Sequence, residues 1–182
     1  IEMTEGPERV TFEEPKIRQG FFGRKYFSPP KKVPHFSNLQ FKEEYIASRV
    51  HLIVNPYSGK KKGSTIGEFV AEELINLNVK VESHVTEDFE HAIDIVRNLS
   101  LSEGDAIVTV GGDGTFCEVI SGYMSRDSQE SSIPFGLIPA GTGNSQANDM
   151  EISDYMDAVA RIIKGRIRSI DIAETKFLDR DR

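Results

Sequence analysis

A second cysteine is missing from this chain. Cys117 is the only one in 182 residues, so no intramolecular disulfide can form, and that usage favours a reducing compartment. Any apolar run near the ~18 residues that a bilayer-crossing helix needs is missing too, as is a signal-peptide core. The sequence therefore predicts no membrane span and a cytoplasmic location, with peripheral attachment to membranes left open. Positive charge is not in excess: a formal net charge of −7 argues against a general nucleic-acid binder. His35, His51, His84 and His91 show no metal-ligand spacing and Cys117 has no partner, which argues against a zinc site. Residues 59–65 resemble a phosphate-binding Walker loop in composition, but no Gly-Lys-Ser/Thr closes them. No GxGxxG is completed anywhere, which weakens a dinucleotide-dehydrogenase reading, and no repeat at a fixed period occurs.

What is present becomes regular only from Val50. Before it, residues 1–48 lack periodicity and carry five prolines, while basic and aromatic side chains interleave between Lys16 and Lys42. Such a mixture can sit at a lipid headgroup interface; the plainer reading is a leader, or the remnant of a preceding region. Residues 50–54 then read as a buried strand ending at Asn55-Pro-Tyr-Ser-Gly59, followed by a helix with Ile66, Phe69, Val70, Leu74 and Leu77 on one face. Residues 79–85 alternate as an edge strand, and Thr86-Glu-Asp88 precedes a helix with Phe89, Ala92, Ile93 and Val96 inward. A third strand, 105–110, runs into Gly111-Gly-Asp-Gly-Thr115 and a helix patterned by Phe116, Val119, Ile120, Tyr123 and Met124. Polar residues 125–132 make a loop, 133–139 a fourth strand, and Ala140-Gly-Thr-Gly-Asn144 closes it. Met156, Val159, Ala160 and Ile163 mark another helix ending near Gly165, and 167–172 begins a strand whose partners are expected beyond the chain's end. Both ends read as cut from something longer.

Four strand–helix alternations with short connections predict an α/β fold, a parallel sheet covered by helices on both faces. In such sheets ligands bind outside the carboxyl ends of the strands, and here all four stretches after the strands are rich in glycine or hydroxyl groups. Gly111, Gly112 and Gly114 offer backbone N–H donors, with the Thr115 hydroxyl at a helix start. Gly141, Thr142 and Gly143 repeat that logic, and Asn144 can donate and accept. Asn55 and Ser58 add polar side chains on a turn stiffened by Pro56 and closed by Gly59. Together these could cradle a polyphosphate and the group attached to it. Asp113 is the one acid inside its turn, and would repel a phosphate unless it holds a metal ion or receives a proton. Glu118 either backs Asp113 through the first helical turn or merely favours the helix dipole. Lys60, Lys61 and Lys62 are open between phosphate contact and solvation.

These motifs, in their order, resemble the catalytic domain of the diacylglycerol kinase and sphingosine kinase family: Asn55-Pro-Tyr-Ser-Gly59, Thr86 with His91-Ala92, 111–119 with Gly122, and Pro139-Ala-Gly-Thr-Gly-Asn144. The resemblance covers roughly two-thirds of the chain. It implies ATP binding by Asn55, Pro56, Thr86, residues 111–115 and Thr142, and transfer of the γ-phosphate with Mg²⁺ to the hydroxyl of a lipid presented at a membrane. It gives Asp113 a metal-linked or proton-accepting role. It also implies a Rossmann-like fold of the NAD kinase and diacylglycerol kinase type, with a second, β-rich domain supplied in cis. On this basis the chain divides into 1–48, a nucleotide-binding domain at 49–165, and the start of a truncated second domain at 166–182. Cys117 stands where the family often has Asn, and 145–149 departs from the diacylglycerol kinase pattern, which leaves the lipid class open. An NAD kinase and a non-catalytic nucleotide-binding fragment are the alternatives.

Overall fold

The computed structural model describes residues 17–19, 25–27, 43–45, 47–127 and 133–173. The chain forms two compact units, residues 1–40 and 41–182. In the first, β1 (Ile17–Gln19) pairs antiparallel with β2 (Lys25–Phe27). The rest of the basic-aromatic stretch, most of the 125–132 loop and residues 174–182 lie outside the described residues.

The second unit is built on four parallel strands in the order β5-β4-β6-β7. These are β4 (Arg49–Val54), β5 (Lys80–Val85), β6 (Asp105–Gly111) and β7 (Phe135–Pro139). The two central strands are almost wholly buried, as strands covered on both faces must be. On one face Val50, Leu52, Val54, Val108 and Val110 pack against α2 (Gly63–Asn76) and α6 (Tyr155–Lys164). On the other, Ile53 and Ile107 pack against α3 (His91–Arg97) and α4 (Asp113–Met124). The α/β, doubly wound reading holds. From β4 the chain first goes out to β5 and then returns to β6 on the opposite side. The gap between β4 and β6 is therefore the topological switch point.

Details differ from the sequence reading, each for a local reason. Phe89 is 79% exposed rather than inward. Glu90, left-handed at φ 62°, stands between it and α3, and this takes Phe89 off the helical face. The buried stripe of α6 is Ala158 and Val159, with Ile162 packed behind them, whereas Met156, Ala160 and Ile163 face solvent. A short helix, α5 (Ser145–Asp149), follows Asn144 where only a closing turn was read. Of residues 167–172, only the first joins a strand. That strand, β8 (Arg166–Ile167), pairs antiparallel with β3 (Glu43–Glu44), a piece of chain read as leader.

Candidate functional site at the carboxyl rim of the sheet

The strands are in register, Val54 beside both Val85 and Val110, and Gly111 beside Pro139. Three of the four turns then donate one further backbone bond to the neighbouring strand, and the fourth, at Gly111, accepts one. Thr86 N–H reaches Val54 O at 2.9 Å, Asn55 N–H reaches Val110 O at 3.0 Å, and Ala140 N–H reaches Gly111 O at 2.9 Å. All four turns consequently start at one level on one rim.

Side chains and close backbone approach lock three of them together. The Asn55 side chain turns back on its own loop, its Oδ1 accepting from Tyr57 N–H at 3.0 Å, and its Nδ2 donates to the buried Thr115 Oγ1 at 2.9 Å. The Ser58 N–H caps the same loop on Asn55 O at 3.2 Å, and Pro56 lies half-buried within it. Gly112 and Gly141 meet backbone to backbone: a Cβ on Gly141 would stand 2.6 Å from the Gly112 Cα. Asn144 braces the second glycine turn, its Oδ1 accepting from Gly141 N–H and its Nδ2 donating to Gly141 O, both at 2.9 Å.

Asp113 is the main junction. Its Oδ2 accepts from Ser145 N–H and its Oδ1 from Gln146 N–H, each at 2.9 Å, so the acid of the first glycine turn caps the short helix that follows the second. The Gln146 amide, and then that of Ser145, hold its carboxyl below the usual carboxylate range. The charge that looked unbalanced in the sequence is thus met by backbone dipoles, and Asp113 is ionised at neutral pH. Gly112, the N-cap of α4, has no side chain with which to cap it, and the helix N-terminus lies at the rim beside the switch point.

Beside the junction lies an open cleft of about 390 Å³ lined by Gly59, Lys60, Lys62, Ile66, Pro139, Ala140, Gly141, Thr142 and Tyr155. Its shape depends on α1 (Ser58–Lys61), a left-handed turn in which Gly59, Lys60 and Lys61 have φ of 55°, 61° and 68°. Such a conformation costs an L-residue about 1–2 kcal/mol, so it persists only where the surroundings fix it. Gly59 is fixed here by Ala140, whose carbonyl oxygen would lie 2.1 Å from any Cβ. Two lysines are thereby carried to the edge of the second glycine turn.

Of the residues named from sequence, Asn55, Gly59, Gly112, Asp113, Thr115 and residues 141–144 come together in this assembly, with Gly143 over Asp113. Gly111 carries the backbone bond from Ala140, and Gly114 has open space around it. Thr86 is buried just beyond β5, joined to the rest by the ladder bond from its own N–H. Among the described residues no hydrogen bond or ion pair joins Glu118 to Asp113. Sequence reasoning missed the cleft's apolar wall, Ile66 and Tyr155, because a helix's first or second turn carries no motif to announce it.

The class of molecule is accordingly a doubly wound parallel α/β domain whose glycine turns interlock at the switch point. The family model described as the diacylglycerol kinase catalytic domain matches residues 49–175, more than half of the chain, and the chain belongs to that family of lipid kinases. It is 35% identical over 126 residues to sphingosine kinase B of Dictyostelium discoideum, covering 68% of this chain and 17% of that protein. To sphingosine kinase 1 of Arabidopsis thaliana it is 35% identical over 130 residues, covering 67% and 27%. To the diacylglycerol kinase of Bacillus subtilis it is 30% identical over 128 residues, covering 69% and 41%. A crystal structure of a diacylglycerol kinase from Bacillus anthracis superposes with a TM-score of 0.55 at 25% identity, over 64% of this chain and 40% of that one. The chain thus spans well under half the length of the relatives it matches.

Proposed function

We propose that this chain is the nucleotide-binding part of an ATP-dependent lipid kinase, which transfers the γ-phosphate to a hydroxyl of a diacylglycerol or sphingoid-type lipid at a membrane surface. The observation that carries the reading is the interlocking of three turns on one rim beside a cleft edged by Lys60, Lys62 and Thr142. Phosphoryl transfer asks mainly for positioning and charge neutralisation, which fixed amides and nearby lysines supply without covalent chemistry. In this reading residues 111–115 and 141–144 bind the phosphates, Asn55, Pro56, Ser58 and Gly59 form the wall that orients them, and Thr86 and Glu118 hold the outer positions.

Asp113 is ionised, and each of its oxygens keeps a lone pair beyond the amide it accepts from, so it suits a metal-linked role better than proton acceptance. It is a hard oxygen donor of the kind Mg²⁺ takes, one carboxylate alongside substrate phosphates, and Mg²⁺ would neutralise phosphate charge there. The lipid half of the machinery belongs, on this reading, to a β-rich domain in cis.

The test is Asp113→Asn in the whole protein that carries this chain. The amide cannot accept from both backbone N–H groups, so a local cost of about 1–2 kcal/mol is expected while the sheet core stays intact. Lipid phosphorylation should fall ~10²-fold or more. Undiminished activity would remove Asp113 from the machinery, and phosphorylation of NAD in place of lipid would overturn the substrate class. A second reading is nucleotide binding without transfer, which the cleft and the glycine turns also support. Calorimetric titration of the 182-residue chain with Mg–ATP addresses it, with binding expected and no heat counting against both readings.

A further inference from the structure

The parallel pairing of β4 with β5 sets His51 beside Glu82 and Ile53 beside His84, so the two histidines and the glutamate share one face of the sheet. We propose that His51, Glu82 and His84 form a binding site for a borderline divalent transition-metal cation, best suited to Zn²⁺, which clamps the edge strand β5 to β4. The three donor atoms all lie within 4.8 Å of one another. His51 Nδ1 is 3.4 Å from His84 Nε2 and 3.5 Å from a Glu82 oxygen. Two ligands held ~2.0–2.1 Å from a tetrahedral ion stand about 3.4 Å apart, so these spacings already fit one.

The surroundings support the site. His51 is 2% exposed, and its Nε2 has no hydrogen-bond partner among the described residues. If Nδ1 carries the cation, Nε2 must carry the proton, and Asp105 Oδ2 stands 3.5 Å from it, ready to receive that hydrogen. Asp105 is itself held by Arg49 and Ser102. Lys80 and Arg49 hold Glu82 through Oε1, while Oε2 faces His51. Glu82 and His84 are half-buried at the sheet edge, which leaves a fourth position for water. Asn55 lies four residues beyond His51, about 13 Å along the strand, so the site is separate from the glycine turns. The separation of 33 positions between the histidines hides it from any spacing rule.

Zn²⁺ titrated into the 182-residue chain should bind at one equivalent and raise the melting temperature. His84→Ala and Glu82→Gln should each weaken binding at least tenfold, while Cys117→Ser leaves it unchanged; His51 is avoided because its removal would open the core. Co²⁺ should give the visible absorption of a tetrahedral site in the parent and lose it in His84→Ala. No saturable binding in the parent overturns the proposal. So does binding that survives both variants, or that disappears with Cys117→Ser.

Discussion

Asp105 and Asp113 have the same chemistry and opposite situations. Asp105, 1% exposed, lies at the amino rim, where Arg49 Nε donates to Oδ1 at 2.8 Å, Arg49 Nη2 to Oδ2, and Ser102 N–H to Oδ2 at 2.7 Å. Burial pushes its carboxyl up, but the Arg49 hydrogen bond, the Ser102 amide and the nearby positive charge outweigh that and bring it from 3.8 to about 2. A carboxyl whose value is depressed by folding stabilises the native state above its unfolded value, and the contribution is lost as pH falls toward its folded one. Urea denaturation should therefore show an acid limb to which this carboxyl contributes a fall of about 2 kcal/mol between roughly pH 4 and pH 2. Asp105→Asn should be less stable at pH 7 by a similar amount, with a flatter acid limb. Asp113 could be singled out in the sequence as an acid among amides, but its balancing partners, Ser145 and Gln146, lie 32 and 33 residues away and carry no side-chain signal of the role. A backbone donor is invisible to any motif.

Between elements, the decisive contact is the meeting of the β6–α4 turn with the β7–α5 turn. Adding a methyl at Gly141 drives it into the Gly112 Cα at 2.6 Å and the Asn144 Oδ1 at 2.8 Å. Backbone cannot rotate away as a flexible side chain can, so Gly141→Ala is expected to cost about 1–3 kcal/mol and to weaken Mg–ATP binding more than it lowers stability. Chemical denaturation and calorimetry on one preparation give both numbers. The elements themselves were legible where pattern and burial agree: the apolar runs of β4 and β6 end at glycine turns, and α2 keeps Val70 and Leu74 inward. They were illegible where packing geometry overrides period. The stripe of α6 is turned relative to the one its apolar residues suggest, because Ala158 and Val159, small enough to approach β7 and α2, take the buried side. Helix α5, with five residues, is too short for a period and rests on the cap that Asp113 gives it.

At the scale of the whole second unit, the parallel α/β architecture was legible from alternation, and with it the expectation of four turns on one rim, while the strand order was not. What alternation could not reveal was how the unit closes. Tyr45 N–H donates to Gly165 O, its hydroxyl reaches Asp105 O at 2.8 Å, and β3 lies along β8. Gly165 ends α6 at φ 63°, where a Cβ would stand 2.2 Å from Tyr45 O. Gly165→Ala meets both the left-handed penalty and that collision, so a loss exceeding about 1 kcal/mol is expected, or about 2–4 °C in Tm for each kcal/mol in a chain of this size. Scanning calorimetry reads it directly. Residues 43–45 and 165–167 lie side by side, and Tyr45 ties both to the sheet through Asp105. The pairing gathers the entry to β4 and the exit from α6 at one corner of the unit, on the rim opposite the glycine turns.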